Sequence, residues 1–244
     1  DESNHCNQTI LRGDTGTAGS ICLLLQTALP CALFGDASFT FVIKGGTNAS
    51  MAPQYDYWER VFLPTLFERC RVDQGTTTTL VQSKVIRRGF YPRGGGEVEV
   101  KVEPLKQPLE PIQLTDRGDV VRIDIRAFHA GKLPRHLAQD MATAAKAFLQ
   151  PRVKSSTIET EIVTEQEAVG SGLGILIVAT TTTGCRLAGS ALGTPKKKAK
   201  EAGIEAAEEL FHTLQDGGCV DEWLQDQLIL YAALAKGKSE ILTG

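Results

Sequence analysis

The sequence predicts an α/β (α+β) protein built of more than one unit, and three observations carry that expectation. Strand-like runs rich in β-branched and aromatic residues alternate with helical-period stretches from residue 8 to residue 102, in the order βαβαββ. Pro104, Pro108 and Pro111 then break the composition, as a linker does. Beyond them a second alternation of strand and helix runs to Thr194-Pro195. The 244 residues are 42% hydrophobic and 23% charged, an ordinary globular composition with room for one large domain or two modest ones.

In chain order, residues 8–11 read as a short strand, and Arg12 to Gly16 as a turn. Thr17 to about Phe34 reads as a buried helix, with Ala18, Ile21, Cys22, Leu25 and Leu29 at helical spacing and Pro30 kinking or ending it. Gln26 interrupts that apolar element, so it is either a satisfied core amide or a ligand contact. Phe39–Ile43 is a strand, Lys44–Pro53 a loop, and Tyr55–Cys70 a second helix. Leu80–Arg88 and Glu97–Val102 are strands joined by Gly89-Phe90-Tyr91-Pro92-Arg93-Gly94-Gly95-Gly96. In the second unit, Val120–Ala127, Thr157–Val163, Gly174–Thr181 and Cys185–Ala191 read as strands, and Leu133–Gln150 as a helix. Lys196 to Leu214 starts basic and becomes an amphipathic helix.

The last helix is the most informative. Gly217-Gly218 breaks what precedes it, and Asp221 is suited to cap it. Leu224, Leu228, Tyr231 and Leu234 recur at helical spacing. Trp223, Asp226 and Gln227 stand at i, i+3 and i+4 and so share a face. A ring, a carboxylate and an amide there can stack on a base, orient a partner and bond a base edge. They can equally be a half-buried tryptophan and two solvated polar groups.

Net charge is −3 and the pI about 5.9, so a nucleic-acid contact would need a local basic patch. One candidate is Lys44, Arg87, Arg88 and Arg93 interleaved with Phe90 and Tyr91. Cations neutralise phosphates and rings accept bases, which suits a single-stranded end. The other reading is a hairpin whose aromatics return to the core. Gly45-Gly46 and Gly94-Gly95-Gly96 could admit a phosphate to the backbone or simply make tight turns. Lys196-Lys197-Lys198 is a nuclear address or a solvated loop. The six cysteines form no CxxC pair and sit among apolar neighbours. Buried reduced thiols, a nuclear or cytosolic compartment and no zinc site are therefore expected. No apolar run is long enough to span a membrane. His5, His129, His136 and His212 form no recognisable nucleophile–base pattern.

Three motifs together resemble the RNA 3′-terminal phosphate cyclase family. They are Gly45–Pro53 (GGTNASMAP), Arg88–Val98 (RGFYPRGGGEV) and Val220–Leu228 (VDEWLQDQL), with Thr17–Ser20 and Ala188–Gly193 in support. The resemblance implies repeated βαβαββ units similar to the C-terminal domain of translation initiation factor 3, interrupted by a small inserted α/β domain. On that basis residues 1–114 are core, 115–194 the insert and 195–244 a return to the core. It implies ATP and a divalent metal (Mg or Mn), with RNA 3′-phosphate ends converted to 2′,3′-cyclic phosphodiesters through a histidine–AMP intermediate and an RNA-3′-pp-5′-A intermediate. It implies ATP binding by Gln26, Pro53, Trp223, Asp226 and Gln227. Trp223 stands where relatives often carry tyrosine, which keeps a stacking ring and loses the phenolic hydroxyl. No catalytic or metal-binding residue is assigned within this chain. The family's nucleophilic histidine and its first repeat are expected outside it, both ends reading as cut, and residues 1–244 alone are expected to be inactive. The competing expectation is a non-catalytic relative acting in ribosome biogenesis, which would shed the ATP-site side chains.

Overall fold

The structure, a computed structural model, describes residues 9–70, 80–153 and 157–244. Its first unit runs β1 (Thr9–Asp14), α1 (Ile21–Leu33), β2 (Phe39–Gly45), α2, β3 (Val81–Gly89) and β4 (Gly96–Val102). The helix α2 is three contiguous pieces, α-helical Tyr55–Tyr57, a π-helical turn Trp58–Phe62 and α-helical Leu63–Arg69. The order is βαβαββ, as the alternation predicts. The strands lie β1-β2-β4-β3, with β1 and β2 parallel and the other pairs antiparallel.

The helix α1 begins at Ile21 rather than Thr17. Ser20 caps it, and residues 17–19 are drawn onto the end of β2, where the Gly46 N–H donates to Gly19 O at 2.7 Å. Pro30 does not end the helix, which continues to Leu33. A proline tolerated this close to a C-terminus removes one of the last backbone bonds only.

After a short β5 (Gln113–Leu114) comes the second sheet, of β6 (Val120–Ala130), β7 (Thr157–Glu165), β9 (Gly172–Thr181) and β10 (Arg186–Leu192) in the order β10-β9-β6-β7. A two-residue β8 (Ala168–Val169) pairs with the end of β3 and joins the sheets. Strand β9 is buried on both faces, which explains why it reads as an unbroken apolar run. Leu176 and Val178 face the first unit's core, with Ile21, Leu25, Trp58, Phe62 and Leu228. Ile175 and Ile177 face α3 (Arg135–Leu149) and α4 (Ala199–Asp216). The molecule is thus layered sheet, helices, sheet, helices.

The sequence assigned residues 195–244 to the returning core, but α4 packs on the second sheet. Its Ala202, Ala206, Ala207 and Leu210 share a cluster with Met141, Ala142 and Ala145 of α3. Small residues on both helices let the backbones approach, a partnership that amphipathic spacing alone does not name. Lys196–Lys198 opens this helix: Lys198 is its N-cap and Lys197 pairs with Glu205. Only α5 (Glu222–Leu234) and β11 (Glu240–Ile241), which pairs with β5, return to the first unit. Leu234 is 46% exposed, so the apolar stripe of α5 ends at Tyr231.

Candidate functional site

Gln26 on α1 and Asp226 on α5 meet: the Gln26 Nε2 donates to Asp226 Oδ2 at 3.0 Å, across 200 positions of chain. Each residue lies beside a buried stripe. On α1, Ile21, Cys22, Leu25 and Leu29 face the core, and Gln26 is half-buried at their edge. On α5, Leu224, Leu228 and Tyr231 are buried, with the Tyr231 ring 5.8 Å from Phe62 of the π-helical turn. Asp226 projects to solvent and Trp223 is half-buried against the same core.

Gln227 departs from the shared face expected of Trp223, Asp226 and Gln227. It turns inward, 3% exposed, and neither its amide oxygen nor its nitrogen has a hydrogen-bond partner. One turn on, the buried Tyr231 hydroxyl is also unpartnered. A buried polar group left unpaired costs about 1–3 kcal/mol, so folds seldom keep one without use. Pro53 is buried just before α2 in a loop that is internally bonded. There the Asn48 amide donates to Gln54 Oε1 at 3.1 Å, and Gln54 Nε2 donates to Ile175 O at 3.2 Å.

Asp221 caps α5 as predicted, its Oδ1 accepting from the Leu224 N–H at 2.9 Å. It has two further partners that spacing does not reveal. The Tyr57 hydroxyl donates to Oδ1 at 2.5 Å, and the Ala188 N–H donates to Oδ2 at 2.9 Å. One buried carboxylate so pins the start of the Trp223–Gln227 helix to α2 and to β10. Burial raises its pKa, against the pull of those donors. Nearby on α4, burial pushes Glu209 up to about 7, although the Ser190 N–H bonds it.

The glycine motifs converge at one end of the first sheet for packing. A Cβ at Gly46 would stand 2.5 Å from Ala18 O, and one at Gly94 2.1 Å from Thr17 O. Backbone therefore fills the space a phosphate would need. The proposed basic patch loses Arg88 and Phe90 to the interior. Arg88 is 4% exposed and grips Asp56 with its two terminal guanidinium nitrogens, at 2.8 and 2.9 Å, while its buried Nε has no partner. Arg126 donates to Asp56 at 3.0 Å and Glu165 at 2.9 Å, and Arg88 pairs with Glu165 at 3.0 Å. Burial would raise the Asp56 pKa, but the two guanidinium groups hold it below the usual carboxylate value. Phe90 is buried, its ring 5.9 Å from Phe128. Lys44 and Arg87 both flank Glu97, at 4.0 and 3.2 Å. Tyr91 and Arg93 are exposed, and Lys44 and Arg87 are half-exposed beside that carboxylate.

The family model for RNA 3′-terminal phosphate cyclase matches residues 2–244. The chain belongs to that family. A probable RNA 3′-terminal phosphate cyclase of Dictyostelium discoideum is 41% identical over 243 residues, which cover 96% of this chain and 53% of that protein. RNA 3′-terminal phosphate cyclases of Pyrobaculum aerophilum and Drosophila melanogaster are 37% and 36% identical, over 94% and 96% of this chain and 63% of each relative. The chain thus spans between about half and two-thirds of these cyclases' length.

Against this family background, the described histidines stand apart from the Gln26–Asp226 pair. His129 is 8% exposed on β6, with its ring nitrogens 2.8 Å from Leu133 O and 2.8 Å from Thr164 Oγ1. His136 and His212 are exposed on α3 and α4. His5 and Cys6 lie outside the described residues. Of the other cysteines, Cys22, Cys70, Cys185 and Cys219 are buried and free, but Cys31 is exposed on α1 despite its apolar neighbours. Among the described residues no group of three His, Cys, Asp or Glu side chains is placed to hold a metal ion, and no helix is long and apolar enough to cross a membrane.

Proposed function

We propose that the full-length protein uses ATP to convert an RNA 3′-phosphate into a 2′,3′-cyclic phosphodiester, and that Gln26, Pro53, Trp223, Asp226 and Gln227 supply its ATP contacts. The observation that carries this reading is the Gln26–Asp226 hydrogen bond beside the unpartnered amide of Gln227. An amide offers one acceptor and two donors, the pattern an adenine edge requires. The half-buried Trp223 ring supplies a stacking surface, and Gln26 fixes the carboxylate of Asp226 to orient a hydroxyl or amine of the ligand. Asp221 holds the helix that carries all three, Trp223 and Asp226 toward the surface and Gln227 facing inward behind them. A divalent metal would travel on the ATP phosphates with its own water ligands, as Mg2+ commonly does, and would shield their charge.

The chemical logic is activation of a leaving group. In the first step a histidine nitrogen attacks the α-phosphorus of ATP and pyrophosphate leaves. In the second, an oxygen of the RNA 3′-phosphate displaces that histidine and acquires AMP. In the third, the 2′-oxygen attacks the RNA phosphorus, its proton leaves, and AMP departs. A phosphate monoester dianion repels a nucleophile, whereas AMP is a competent leaving group. As the family resemblance implies, we place the nucleophilic histidine outside the described residues; among these, His129 spends both ring nitrogens in the second unit and His136 and His212 lie on its outer helices.

ATP titration of the full-length protein tests the site. Asp226→Ala and Gln26→Ala are expected to weaken ATP binding about tenfold or more without shifting the melting temperature by more than a few degrees. Unchanged ATP affinity in both variants would overturn the assignment.

A further inference from the structure

Folding leaves two side chains of the Arg88–Gly96 turn available, and it fixes the backbone that presents them. The Gly94 N–H donates to Phe90 O at 2.9 Å, and the Arg87 Nε donates to Gly95 O at 2.9 Å. Phe90 is buried against Phe128. The Gly94 backbone lies against Thr17 and Ala18 so closely that it has no room for a side chain. On this fixed turn the Tyr91 ring is 83% exposed and contributes no burial to the fold. Arg93 is exposed beside it and makes no ion pair among the described residues. Lys44, Arg87 and Arg88, by contrast, all face carboxylates.

The turn's location gives these two groups a use. Thr17 and Ala18 lead directly into Ser20, the N-cap of α1. Gln26 follows six residues on, about 9 Å along the helix axis at 1.5 Å per residue. An RNA whose 3′-phosphate approaches the α-phosphate of an ATP held beside Gln26 and Asp226 would bring its preceding nucleotides toward the turn. We propose that Tyr91 and Arg93 form a contact for single-stranded RNA leading to the 3′-phosphate, the ring stacking on a base and the guanidinium pairing with a neighbouring phosphate. This rests on the RNA-end reading given above. A rigid ring next to an unpaired cation is the chemistry that tracks a single strand without reading its sequence.

The test uses the full-length protein and a fluorescent single-stranded RNA ending in a 3′-phosphate, titrated without ATP, with ATP affinity measured separately. Tyr91→Ala is expected to weaken RNA binding about tenfold or more, and Tyr91→Phe to stay within about twofold of the parent. Arg93→Ala is expected to weaken it several-fold and to lower the salt dependence by about one phosphate contact. ATP affinity should be unchanged in all three. RNA carrying a photoreactive thio-base should crosslink to the peptide holding Tyr91. Parental RNA affinity in both alanine variants, a crosslink confined to other peptides, or a parallel loss of ATP binding in Tyr91→Ala would each overturn the proposal. Failure of the parent protein to bind ATP would instead overturn the site assignment.

Discussion

Two polar regions of this molecule are built on opposite terms. The cluster of Asp56, Glu165, Arg88 and Arg126 ties α2, β3, β6 and β7 together, and its charges are matched two against two. Among the described residues, the junction of α1 and α5 has one hydrogen bond, Gln26 to Asp226, next to the Gln227 amide with no partner. Guanidinium groups of arginine draw attention as nucleic-acid ligands, yet here the buried ones are structural. The neutral Gln227 amide, which the fold leaves unpartnered, is the group we assign to a ligand. What separates the two regions is that every charge in the first meets an opposite charge, although the buried Arg88 Nε has no partner, whereas the Gln227 amide meets nothing.

The largest effect should come from breaking the charge cluster. Asp56→Ala leaves two buried guanidinium groups short of an anion, and about 3–5 kcal/mol of stability should be lost in denaturant unfolding. A loss below about 1 kcal/mol would mean that water or Glu165 alone compensates, and the contrast between the regions would weaken.

Glu209 gives the next largest effect. Its folded pKa of about 7 lies above the unfolded value near 4.5, so the folded state keeps a proton that the unfolded chain has released. Stability should therefore fall as pH rises from about 4.5 to 7, and Glu209→Gln should flatten that slope. At pH 8 the variant should be the more stable, by up to about 2–3 kcal/mol. Parallel melting curves for both proteins from pH 5 to pH 8 would remove Glu209 as the source.

Gln227→Met sharpens the comparison from the other side. It removes an unpaired buried amide while keeping the volume, so thermal stability should rise by about 1 kcal/mol while ATP affinity in the full-length protein falls. A stability loss would show that the amide is satisfied within the fold. The smallest effect belongs to the surface: Lys44→Ala, with its 4.0 Å approach to Glu97, should change stability by less than about 0.5 kcal/mol in the same unfolding assay.

The sequence by itself determined the βαβαββ order, the Asp221 cap, the existence of α1 and α5 and the motifs that name the family. These signals are local: period, capping residues and short runs each act within a few residues of chain. The tertiary structure alone decided that α4 serves the second sheet, that Arg88 and Phe90 turn inward while Tyr91 and Arg93 do not, and that Gln26 and Asp226 touch across 200 positions. It also decided that Gln227 points into the protein unpaired. Neighbours on a helix share a face in sequence, but which part of that face meets solvent depends on what packs against it. That partner comes from chain so distant that no spacing rule reaches it.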